Sequence, residues 1–212
     1  TIKLKFKQSF FKISNNIVND MNVAIKYIKN HKKALYLVML SFCIQFIVAM
    51  FSNNLNTLIT DYYGLAFSDL TYLRTILGFG IILGMFLTIY FARLLKGVHL
   101  FSIGFIVLCI TLFTANFCNS IEIAWKWLIP IGVADAMVVI MLDTTLQKVT
   151  PDRVRGKIFG LNLTLNTFSF LLGTLIIAIS TEYIQPLNTF KIIAGISFIL
   201  AISVLLFDKS FR

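Results

Sequence analysis

The chain holds nine carboxylates, and two of them, Asp135 and Asp143, interrupt a single apolar run near its middle and its end. On insertion scales an ionised Asp at the centre of a membrane helix costs about 2.5–3.5 kcal/mol. Such a group faces a wet cavity, pairs with a neighbour, or carries a proton. Two roles are open to Asp135: proton or cation exchange along a transport pathway, or a neutral acid hydrogen-bonded to an adjacent helix. Asp143 lies about 80° further round a helix of 3.6 residues per turn. Lys148, Arg153 and Arg155 follow it closely, so the expected role is a structural ion pair at a gate. Gln45 sits in mid-run in an earlier apolar stretch, and Asn162 and Asn166 share one helical face at i, i+4. Hydrogen bonds between helices explain these amides as well as substrate contact does. Gly80/Gly84 and Gly156/Gly160 have the four-residue spacing that lets helices pack closely.

Other chemistry has no residues to carry it. His31 and His99 are the only histidines; His31 falls outside the apolar runs and His99 at the very edge of one. Cys43, Cys109 and Cys118 lie in or at the edge of apolar runs, without metal-ligand spacing, and read as packing residues. No HExxH, GxSxG or P-loop pattern occurs. No metal, cofactor or catalytic constellation is expected. Transport is the default for a polytopic protein of this kind.

The elements that hold these residues follow from composition. Of 212 residues 58% are hydrophobic and 13% charged, and the mean hydropathy is +0.86. Too much apolar surface is present for a soluble fold to hide. This excludes a soluble enzyme, a secreted disulfide scaffold and a nucleic-acid-binding domain, and the bilayer becomes the expected partner. A spanning helix needs about 20 mostly apolar residues. Six stretches qualify: 34–54, 75–95, 99–118, 123–147, 159–180 and 188–207. The fold class is therefore an all-α membrane protein with six transmembrane helices in an up-and-down bundle over 34–207. Residues 208–212 form a tail.

The net charge of +10 reflects the loops. With six spans, sixteen of the nineteen Lys and Arg fall on one side, and only Arg74, Lys126 and Lys191 on the other. The positive-inside rule puts the rich side, and both termini, in the cytoplasm. Trp125, Trp127, Tyr62, Tyr63 and Tyr183 fall at the opposite boundary, as interfacial aromatics do. Residues 1–33 carry eight lysines and an apolar stripe of Ile17, Val18, Met21, Ala24, Ile25 and Ile28, with Ser14 or Asn15 as a cap. The stripe predicts a helix on the cytoplasmic membrane surface, or one packed beneath the bundle.

One segment is more specific. TLQKVTPDRVRGKIFG, Thr145 to Gly160, lies between the fourth and fifth spans. It resembles the loop in the C-terminal half of major facilitator superfamily transporters, in the macrolide-efflux and enterobactin-exporter branch. Gln147, Pro151, Arg155, Gly156 and Gly160 match, and Lys157 replaces a second arginine while keeping its charge. GMFLTIYFARLLKG, 84–97, is a weaker match to the family's glycine-and-basic loop, with Gly84, Arg93 and Lys96 but no acid. The resemblance implies a C-terminal six-span half of a twelve-helix fold, with residues 1–33 as the central cytoplasmic loop and an N-terminal six-span half as partner. It implies a cell-membrane, proton-coupled exporter of drugs or other small amphipathic molecules. Asp135, Gln45, Asn162 and Asn166 would line the pathway, and Asp143 and the basic segment would form the gate. The rivals are an uptake permease of the same fold and a six-span membrane subunit of a multicomponent importer.

Overall fold

The computed structural model describes residues 19–64, 66–94, 97–114 and 121–210. Its elements are α1 (19–30), α2 (Lys32–Thr57), α3 (Phe67–Phe91), α4 (Gly97–Thr114), α5 (Ile121–Val149), α6 (Asp152–Ser180) and α7 (Pro186–Ser210). No strand occurs among the described residues. Among the described residues, five helices are long and apolar enough to cross a membrane: α2, α3, α5, α6 and α7. The described part of α4 is equally apolar but shorter.

Except for the described part of α4, the helices are longer than the apolar runs that announced them. A π-helical turn, Leu58–Tyr62, carries α2 two turns past residue 54. Gly64 then adopts φ +62°, a left-handed conformation that glycine reaches without a Cβ clash. The chain re-enters at α3, where the Asp69 carboxylate accepts from the Ala66 amide at 3.2 Å. Ala66 has no acceptor side chain, so this is half of a capping box.

The basic segment is not the loop that the sequence suggested. Only Thr150 and Pro151 separate α5 from α6, and Arg153 to Gly160 form the first turns of α6. Proline disfavours helical geometry in the residue before it, which breaks the helix at Thr150. Asp152 then suits the positive end of the α6 dipole. At 29 residues each, α5 and α6 span about 43 Å at 1.5 Å per residue. That exceeds the ~30 Å hydrocarbon layer.

Three apolar clusters stack along the bundle axis. The one farthest from the α5–α6 junction joins Phe51, Ile59, Leu73, Leu112, Ile131 and Phe190. The middle one joins Ile44, Leu100, Phe105, Met141 and Val204. The third joins Ala24 and Ile28 of α1 to Val38, Leu146 and Ile158. The principal helix contacts are α3 with α5, α2 with α6, α4 with α5 and α7, and α2 with α7 and α5. Exchanging α2 with α5, α3 with α6 and α4 with α7 maps this set onto itself. The bundle thus has the contact pattern of two three-helix units related by a pseudo-twofold axis.

α1 packs beneath the bundle, the second of the two arrangements expected. Its buried face is turned from the stripe read in the sequence. Ala24 and Ile28 are buried, whereas Met21 and Ile25 are 40% and 37% exposed. The Tyr27 hydroxyl donates to the Val149 carbonyl at 3.1 Å, and Lys157 pairs with Asp20 at 2.7 Å. Tertiary bonds to the α5–α6 elbow set this rotation. Ser14, Asn15, Ile17, Val18, Lys96 and Cys118 lie outside the described residues.

Candidate functional site

Close approach of α3 and α5 creates the site. A Cβ built on Gly80 would lie 2.5 Å from the Ile129 carbonyl oxygen, and one on Gly84 2.7 Å from the Val133 Cα. From the other side, a Cβ on Gly132 would lie 2.5 Å from the Leu77 carbonyl oxygen. These glycines bring the two backbones together. Pro130, within the crossing, has no amide to donate to the Lys126 carbonyl one turn earlier.

α2 and α3 are not principal neighbours, and the gap between them opens into a cavity of about 190 Å³. Its walls are Ile44, Ile47, Val48 and Phe51 of α2, Leu77 and Ile81 of α3, and Phe105, Leu108 and Leu112 of α4. Asp135 projects from α5 with Ile131 and Val138, and Ser52 is the other side chain in the lining with a polar group. The Asp135 carboxylate has no hydrogen bond or ion pair among the described residues. Asp135 thus faces this cavity and is not hydrogen-bonded to an adjacent helix among the described residues. An apolar cavity of about 150 Å³ accepts a benzene ring. This one has room for an aromatic or alkyl group, with one carboxyl in its wall.

Ser52 was not singled out from the sequence, yet its position is symmetric to that of Asp135. Gly173 of α6 would place a Cβ 2.8 Å from the Phe46 carbonyl oxygen and the Ala49 Cβ, the counterpart of Gly80 against Ile129 and Gly132. That register sets Phe46 against Ile129, Ala49 against Gly132, and so Ser52 against Asp135.

The remaining polar candidates do other work. Asn162 Nδ2 donates to Ser41 Oγ at 3.3 Å, and Ser41 Oγ donates to Asn166 Oδ1 at 3.0 Å. Ser169 Oγ donates to the Phe42 carbonyl at 2.6 Å, and Asn53 Nδ2 to Thr174 Oγ1 at 3.1 Å. Together with Gly173 these form a polar ladder joining α2 to α6. Asn162 and Asn166 therefore hold helices together and do not line the cavity. Gln45 does not line it either, and has no hydrogen bond among the described residues. Ser41, the shared partner of the two asparagines, and Ser169, which bonds the Phe42 carbonyl, look unremarkable in apolar runs, and only helix packing reveals them.

At the elbow, Arg155 Nη2 donates to the carbonyls of Gln147 at 3.4 Å and Thr150 at 3.3 Å, and pairs with Asp152 at 2.6 Å. It thus caps the end of α5, adding to the bond that the Gln147 carbonyl accepts from the Thr150 amide at 3.3 Å and meeting the Thr150 carbonyl beyond it. Asp143 was expected to meet a basic residue. It has no ion pair among the described residues, because Arg155 turns to the helix end and Lys157 reaches Asp20. Gly156 and Gly160 correct a second expectation. A Cβ on either would meet nothing within 4 Å, so this pair does not mediate packing in the described bundle.

Among the described residues no group of three or more His, Cys, Asp or Glu converges. No protein-family model matches the chain, and no curated protein or solved structure does.

Proposed function

We propose that this chain is a six-span half of a major-facilitator-type secondary transporter. It exports small amphipathic molecules against a counterflow of protons, with Asp135 as the proton-carrying group. The observation that carries the reading is the Asp135 carboxyl, unpartnered in mid-helix and facing an otherwise apolar cavity. A structural acid in a membrane is held by a neighbour, and this one is not. The pseudo-twofold contact pattern adds support, since three-helix repeats are how such halves are built, with sites at the repeat interface.

On this reading all six apolar helices span the cell membrane, and the elbow and both termini face the cytoplasm. The apolar wall holds the hydrocarbon part of the substrate, and Asp135 releases its proton as a cationic or donating group arrives. A facing six-span half encloses the rest of the substrate.

Asp135→Asn tests the assignment, because the amide keeps the size and most of the hydrogen bonding but cannot titrate. In cells expressing the gene that encodes this chain, the variant should reach the membrane at wild-type level and lose uphill export of a cationic dye. A protonophore should abolish wild-type export. Wild-type export by Asp135→Asn, with unchanged pH dependence, would remove Asp135 from the mechanism.

A further inference from the structure

We propose that α1 is a two-faced strap, one face bound to the α5–α6 elbow and the other docked on the anionic headgroups of the adjoining lipid leaflet. The first face is described above: Ala24 and Ile28 are buried, Tyr27 bonds to Val149, and Asp20 pairs with Lys157. The second carries Met21 and Ile25, both exposed, beside the exposed Lys26 and Lys29. This pairs an apolar strip with lysines that can lift their charges to headgroup level.

Position and charge select the occupant. α1 ends at residue 30, and α2, an apolar helix of spanning length, starts at Lys32. The strap therefore lies within about one helical turn of the water–hydrocarbon boundary. Leu35 and Met39, on the first turns of α2, are also exposed, continuing an apolar surface from the strap toward the bilayer. Residues 1–33 hold eight lysines and one acid, Asp20, and that acid is taken by Lys157. The segment thus presents positive charge that its own carboxylate does not neutralise. A basic surface with an apolar strip at the membrane edge fits a leaflet of anionic lipid better than a soluble acidic protein, which would leave Met21 and Ile25 in water.

The strap links lipid to the elbow. Each lysine near an anionic surface favours docking about fivefold. Docking holds Tyr27 and Asp20 against Val149 and Lys157, so the leaflet helps to fix the junction of α5 and α6.

The test uses the whole chain in nanodiscs, with Cys43, Cys109 and Cys118 replaced by serine and a polarity-sensitive dye on Met21→Cys. Both leaflets then carry the same lipid, and no transport is measured, so the outcome is independent of orientation and of the proposed export. With phosphatidylglycerol added to phosphatidylcholine, dye emission should shift to the blue, and lipids labelled near the headgroup should quench it. Lys26→Gln/Lys29→Gln should reduce the docked-to-undocked ratio roughly 25-fold, and raised salt should do the same. Equal emission in the two lipid mixtures would overturn the proposal. So would quenching that the double variant and salt leave unchanged, since apolar insertion alone would then account for it. An unquenched dye in every lipid would turn the face toward the cytosol and leave it to a protein partner.

Discussion

The two GxxxG pairs should respond to alanine with opposite sign. At Gly84 the added methyl would lie 2.7 Å from the Val133 Cα and carbonyl oxygen, and at Gly132 2.5 Å from the Leu77 carbonyl oxygen. These neighbours are backbone atoms, which no rotamer change moves aside. Carbon contacts need about 3.5 Å or more, so α3 and α5 must separate by about 0.8 Å at Gly84. Overpacking on this scale costs about 1–3 kcal/mol. At Gly156 and Gly160 the methyl meets nothing within 4 Å. Alanine there removes only the conformational freedom of a helical glycine, which is worth about 0.5–1 kcal/mol in favour of the variant. That gain applies at Gly84 as well and cancels in the comparison, so Gly84→Ala and Gly160→Ala should differ by about 1–3 kcal/mol. The assay is the monodisperse fraction left on size-exclusion chromatography after stepwise heating in detergent, for all variants in parallel. Equal losses at the two pairs, or wild-type behaviour of Gly84→Ala, would refute the α3–α5 crossing. Gly84→Ala should also disturb the Asp135 cavity, because α5 forms part of both.

Three further outcomes follow from the described contacts. Ser41→Ala leaves Asn162 Nδ2 and Asn166 Oδ1 without their shared partner and should cost about 0.6–1.7 kcal/mol by the same heating assay; a neutral result would remove the polar ladder from the account of α2–α6 pairing. Arg155→Ala should destabilise by about 1–2 kcal/mol, a charged-donor value reduced because the side chain is 42% exposed. Arg153→Ala, at an exposed position, should be close to neutral, and the reverse ranking would sink the elbow assignment. In a cysteine-free background, an impermeant thiol reagent added to intact cells should modify Asn188→Cys and spare Asp152→Cys; labelling at 152 would invert the proposed orientation.

Helix content and bundle class were legible because bilayer-length apolar runs leave a backbone little choice but the helix. The carboxyl of interest was legible too, since Asp135 is conspicuous among Val, Ala and Met. Element ends were less so: an apolar run marks where lipid would begin, whereas hydrogen bonding carries helices beyond it, so α2 runs to Tyr62 and α6 starts at Asp152. What each polar residue faces was decided only by tertiary structure. Asn162 and Asn166 turn to Ser41 because α6 lies against α2, and Asp135 turns to a cavity because α2 and α3 leave a gap. Spacing alone gave both glycine pairs the same meaning, yet one meets a facing backbone and the other meets open space. From the sequence, Arg155 was expected to serve an ion pair with Asp143. The two-residue elbow brings it to the carbonyls. Residue type says which bonds a side chain can make, and the positions of the neighbouring helices decide which of them form.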